Sequence, residues 1–144
     1  MKKGFSLIEI VICMSIIIIL AASGLANFTS YRLLANETEL MACEDAVISI
    51  INNGKQYCRD KEEPGSVLFD TANGNVSFMS LGKTIDSFTF PKGIDLYFIN
   101  TSGGRVDIDR FGITGDAGTI TIRDRYQEFH DITINVGAGY AEIK

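Results

Sequence analysis

Lys2-Lys3-Gly4-Phe5-Ser6-Leu7-Ile8-Glu9 is followed by 22 residues without a charge, Ile10 to Tyr31, and this opening decides how the chain must fold. At about 1.5 Å of rise per residue, a helix of that length covers the roughly 30 Å hydrocarbon core of a bilayer. The two lysines ahead of it place Met1 on the cytoplasmic side by the positive-inside rule, and everything after about Tyr31 outside. Three ordinary readings each fit part of the stretch. A secretory signal peptide wants a shorter apolar region and a small-residue cleavage site, which Ala21-Ala22-Ser23-Gly24 could supply, but it leaves Glu9 unexplained. A plain signal anchor accepts the length, yet it carries a carboxylate in the first turns of an apolar helix, at about 2.5–3.5 kcal/mol if that group sits deep. The core helix of a soluble protein does not usually run so far uncharged.

Taken whole, the stretch resembles the N-terminus of type IV prepilins and pseudopilins. The resemblance implies cleavage by a membrane peptidase after Gly4 and N-methylation of the new terminal residue, Phe5. It also makes Glu9 the fifth residue of the mature chain, the family position of a glutamate that neutralises the N-terminal amine of a neighbouring subunit. The physics agrees: an unpaired carboxylate inside an apolar bundle is costly, whereas a paired one selects register. Residues 1–4 are then a leader peptide.

Beyond Tyr31 the pattern becomes amphipathic. Leu33 and Leu34, Leu40 and Met41, and Val47 and Ile48 recur every seven residues, Ile51 extends them, and Glu37, Glu39, Glu44 and Asp45 take other positions. The stripe reads as core packing against the domain that follows. Asn52-Asn53-Gly54 offers a stop, so the helix is expected over residues 5–54, with about 10–31 in the membrane and a weak point at Ser23-Gly24 and Asn27.

Residues 55–144 read as short β segments between Gly, Asn and Asp. Strands are predicted at 66–69, 76–79, 85–90, 94–99, 105–108, 118–123, 131–136 and 139–143. Ile120 and Ile122 alternate with Thr119, Thr121 and Arg123, and Ile132, Ile134 and Val136 with Asp131, Thr133 and Asn135. One face is buried and the other wet, which suits an antiparallel sheet packed on the helix. The expected class is therefore α+β, a long N-terminal helix on a C-terminal antiparallel β domain, the pilin-like arrangement. A looser resemblance lies in Phe111-Gly112-Ile113-Thr114-Gly115-Asp116-Ala117-Gly118-Thr119-Ile120-Thr121-Ile122 and Ile132-Thr133-Ile134-Asn135-Val136-Gly137-Ala138-Gly139-Tyr140. These segments look like the C-terminal half of H-type minor pseudopilins of type II secretion, and of the related competence pseudopilins of DNA uptake. Some DNA-uptake members carry a basic tail there; this chain has Tyr140-Ala141-Glu142-Ile143-Lys144.

Charge argues the same way. The formal net charge is −5, and loss of Lys2 and Lys3 with the leader makes it −7, so direct nucleic-acid binding is disfavoured. No catalytic set emerges, and neither a cofactor nor a metal is expected. His130, the one histidine, cannot make a site of imidazoles and reads as a solvated loop residue. Asp107-x-Asp109-x-x-Gly112 matches part of a calcium loop, but position twelve is Gly118 where a bidentate Glu belongs. Asp124-Arg125-Tyr126-Gln127-Glu128-Phe129-His130 reads as an exposed hairpin tip. Cys13 would lie in lipid. Cys43 and Cys58 would lie outside, where a bridge is within reach if the helix ends near Asn53; two free thiols compete with it.

The function expected is a non-enzymatic filament subunit, minor rather than major, made at the cytoplasmic membrane with its N-terminus inside and then moved into an extracytoplasmic filament. The resemblance implies other pilin subunits, a prepilin peptidase, an assembly platform and a motor as partners, and membrane lipid before assembly. The competing reading is a filament-tip binding module, an adhesin or DNA-uptake receptor.

Overall fold

The computed structural model describes residues 6–115, 117–136 and 142–143, with side chains for all of these except 25–27, 29, 102, 142 and 143. Gly4 and Phe5, the turn at 137–139 and the start of the last expected strand lie outside the described residues. The chain divides into two compact units, Met1–Thr38 and Glu39–Lys144.

One helix, α1 (Leu7–Lys61), runs without interruption through Ser23-Gly24 and on past the stop expected at Asn52-Asn53-Gly54. Gly54 is not a cap. A Cβ there would stand 2.8 Å from the Phe78 ring, so the residue is small because the sheet packs directly on the helix. The helix ends about two turns later, where Glu62 takes the left-handed conformation (φ 55) and the Glu63 N–H donates to the Cys58 carbonyl at 3.2 Å. This is a Schellman-type closure, followed by Pro64, which cannot continue a helix.

In the second unit, α1 buries Leu40, Cys43, Val47, Ile50, Ile51 and Cys58, spaced three or four apart. Of the expected stripe, Leu40, Val47 and Ile51 face inward, Ile48 is half-buried, and Leu33, Leu34 and Met41 are exposed. The side chains meet two four-stranded antiparallel sheets rather than one. The first has the order β3 (Lys83–Thr89), β2 (Asn75–Ser80), β1 (Gly65–Asp70), β5 (Arg105–Ile108); the second has β4 (Asp95–Asn100), β6 (Gly118–Arg123), β7 (Phe129–Ile134), β8 (Glu142–Ile143). Val67, Val76, Phe78, Val106 and Ile108 of the first sheet and Ile120, Ile122, Ile132 and Ile134 of the second share one core with the helix. Tyr57 meets Phe78 edge-to-face, with centroids 5.7 Å apart.

The late alternation reads out as expected at Ile120, Ile122, Ile132 and Ile134, all inward, but β7 ends at Ile134 and Val136 is exposed. The start of β7 also departs from expectation. It begins at Phe129, two residues early, because the β6–β7 turn is tight. Asp124 donates its N–H to the Glu128 carbonyl, its Oδ1 accepts from the N–H groups of Tyr126 and Glu128 at 2.8 Å each, and Gln127 is left-handed (φ 67). Pairing therefore reaches back to Arg123 opposite Phe129 and Ile122 opposite His130.

Candidate functional site

Two regions carry chemistry, one in each unit. At the start of α1, Ser6 and Glu9 form a capping box. The Ser6 N–H donates to Glu9 Oε2 at 2.8 Å, and the Glu9 N–H to Ser6 Oγ at 3.4 Å, so two end groups of the helix are satisfied reciprocally. The sequence reading missed this cap, although the spacing Ser6-Leu7-Ile8-Glu9 is its signal. Downstream, Leu7, Ile8, Ile10, Val11 and Ile16 to Leu20 all point outward. Residues Leu7–Gly24 form a helix long and apolar enough to cross a membrane, and it is the only such helix among the described residues. Its serines fold back on the helix: Ser15 Oγ donates to the Val11 carbonyl at 2.8 Å and Ser23 Oγ to the Ile19 carbonyl at 2.9 Å. Hydroxyls satisfied this way do not ask for water inside lipid. At the far end, the Arg32 guanidinium lies 4.6 Å from the Phe28 ring centroid, an amphipathic pair suited to the membrane–water boundary.

The second region is the β6–β7 turn where it meets α1. Arg125 forms an ion pair with Glu39 of the helix and donates from Nε and Nη2 to the Lys92 carbonyl at 3.2 Å each. A Cβ on Gly93 would stand 2.8 Å from Arg125 Cγ, so glycine makes room for this side chain. His130, read from the sequence as a solvated loop residue, is instead a half-buried strand residue on the core-facing side of β7. The misassignment follows from the early start of β7. Glu44 is buried, and its carboxyl group is pushed up by desolvation, with His130 pulling the other way. Burial and the nearby Glu39 and Glu44 push the Cys43 thiol up to about 11, which leaves it protonated and a poor nucleophile. Burial raises Cys58 as well.

The bridge considered for Cys43 and Cys58 is overturned. Both are free thiols on one continuous helix, about 22 Å apart along its axis, against the roughly 4.4–6.8 Å between Cα atoms that a disulfide requires. The partial calcium motif is occupied by local structure. Asp107 pairs with Arg105 at 3.2 Å, and Asp109 Oδ1 accepts from the N–H groups of Phe111 and Ile113 at 2.9 and 2.8 Å.

On the outer face of the second sheet, Tyr97 and Phe129 stack with centroids 4.9 Å apart. Arg123 lies 5.2 Å from the Tyr97 ring and pairs with Asp95 at 2.9 Å. Beside them opens a cleft of about 460 Å³ whose lining includes Asn73, Phe90, Lys92, Tyr97 and Arg123.

Comparison with known proteins addresses both regions separately. Residues 1–25 match the prokaryotic N-terminal methylation motif. The fold is similar to that of the type IV minor pilin FimU from Pseudomonas aeruginosa strain PAO1, with a TM-score of 0.59 at 9% sequence identity, covering 77% of this chain and 92% of that one. A search of curated protein sequences returned no match. The chain thus carries a prokaryotic N-terminal methylation motif at residues 1–25 and has an α+β fold similar to that of a type IV minor pilin.

Proposed function

We propose that this protein is a minor subunit of a type IV pilus-like filament or pseudopilus, cleaved after Gly4, methylated at Phe5 and assembled through its apolar helix. The observation that carries the reading is the apolar helix Leu7–Gly24, unburied on every side in the single chain, inside the match to the methylation motif. In a filament that face is covered by equivalent helices of neighbouring subunits. Before assembly lipid covers it, with Met1 cytoplasmic and the β domain outside. Glu9 supplies the one carboxylate in that segment, and its charge pairs with the amine of a neighbouring Phe5. A prepilin peptidase, an assembly platform and a motor are the partners this pathway requires.

Two measurements test the proposal. The intact mass and N-terminal fragmentation of the protein from its native cell should give a chain that begins at methylated Phe5; a chain that begins at Met1 or near Ser23 would overturn it. Glu9→Gln separates the two roles of that residue, because glutamine still completes a capping box but carries no charge. We expect normal membrane insertion and loss of filament incorporation, and wild-type filaments from Glu9→Gln would remove charge pairing from the mechanism.

One observation favours a second reading, a filament-tip binding module: the exposed Tyr97–Phe129 stack beside the cleft that holds Lys92 and Arg123. Under that reading Tyr97→Ala with Lys92→Ala abolishes attachment to surfaces while filaments remain intact.

A further inference from the structure

The β6–β7 turn does more than connect strands. Asp124, Glu128 and His130 each present one ligand atom, and the three atoms lie within 4.8 Å of one another. Their settings differ: Asp124 is buried, His130 half-buried and Glu128 exposed. Asp124 is held in place by the two N–H groups of its own turn, and His130 by its register opposite Ile122, so two of the three donors are positioned by backbone structure. Glu128, exposed to solvent, is the arm that would close the remaining distance.

A second observation points into this cluster from the helix. Glu44 is only 4% exposed and lies within electrostatic range of His130. Among the described residues, the His130 Nε2 is itself buried without a hydrogen-bond partner. One imidazole therefore stands among three carboxylates, those of Asp124, Glu128 and Glu44. Arg125, in the same turn, is committed to Glu39 and the Lys92 carbonyl. A bound dication would offset the charge of these carboxylates. An imidazole nitrogen with two carboxylate oxygens is also a donor set that zinc-class ions accept and calcium or magnesium do not favour.

We propose that Asp124, Glu128 and His130 form a three-ligand site for a zinc-class divalent ion, with Glu44 as the carboxylate that orients the His130 ring. Whichever ring nitrogen binds the ion, the other becomes an N–H donor, and Glu44 is a buried carboxylate within electrostatic range of the same ring. A bound ion would tie the hairpin to α1 at the level where Arg125 already joins it to Glu39. The fourth position is left to water.

The test uses the full-length chain in detergent micelles, dialysed against zinc chloride alone, with metal counted per chain. We expect one zinc per chain at micromolar concentration, and a melting temperature that rises with zinc. His130→Ala and Glu128→Gln should each remove the binding, and Glu44→Gln should weaken it about 10- to 100-fold, as loss of an outer carboxylate does. Glu128 is exposed, so its variant keeps the fold and the test stands even if His130→Ala does not fold. Cobalt in place of zinc should give visible bands without the near-ultraviolet thiolate charge-transfer band, which separates this site from the three cysteines. The proposal is overturned by the absence of saturable zinc binding, by wild-type affinity in Glu128→Gln, or by a thiolate band.

Discussion

Within one continuous helix, the segment Leu7–Gly24 and the segment Leu40–Cys58 solve opposite problems. The first exposes every large apolar side chain, satisfies its own polar groups at Ser6, Glu9, Ser15 and Ser23, and takes nothing from the rest of the described chain. The second buries one narrow face so closely that a glycine is needed where it meets Phe78. Similar residue types thus serve two solvents. The first segment awaits lipid or other helices, while the second has found its partner inside the fold.

The largest expected effect separates the two segments directly. Phe78→Ala removes a ring that touches Gly54, Gly65 and Tyr57 and should cost about 3–5 kcal/mol of domain stability in chemical unfolding. Ile17→Ala, on the exposed helix, should leave that transition where it is. An unfolding curve equally sensitive to both would break the comparison.

The two helix glycines sharpen it. Helix propensity alone favours alanine over glycine by about 1 kcal/mol, and Gly24→Ala meets nothing within 4 Å, so it should be neutral or stabilising. Gly54→Ala places a methyl group 2.8 and 3.0 Å from two atoms of the Phe78 ring and should destabilise by about 1–3 kcal/mol. Calorimetry of both variants reads the difference in sign.

A smaller effect follows from Glu44. Desolvation raises its folded value above the ordinary 4.5, with Asp45 adding to the shift and His130 opposing it. The folded state therefore holds a proton that the unfolded chain has released, and stability falls as pH rises from about 4.5 through the raised value. With a chelator present, Glu44→Gln should flatten that fall and be the more stable protein at neutral pH; an unchanged pH profile would contradict the assignment. Last comes the exposed pair Arg105–Asp107, where Arg105→Ala should change stability by less than about 1 kcal/mol in the same unfolding assay.

Much of this was legible in the residues. The charge-free run after Glu9 announced the apolar helix, and alternation at Thr119 to Arg123 and Asp131 to Ile134 announced strands and their inner faces, because a period of two needs no knowledge of partners. What failed was punctuation. Asn52-Asn53-Gly54 has the composition of a stop, yet the helix reads through it because burial of Lys55 and Cys58 against the sheets outweighs local preference. Pro64 was the better signal. His130 was misplaced for a related reason: turn residues at 124–128 look solvated in sequence, and only the hydrogen bonds of Asp124 show how short the turn is.

By itself, then, the sequence determined the properties that depend on near neighbours along the chain: the apolar segment, the Ser6–Glu9 cap, the strand periodicity and the processing motif. Tertiary structure alone decided where α1 ends, that the described strands divide into two sheets, that Cys43 and Cys58 cannot meet, and that Asp124, Glu128 and His130 do. These last outcomes depend on tertiary contacts, whose energies no local pattern records.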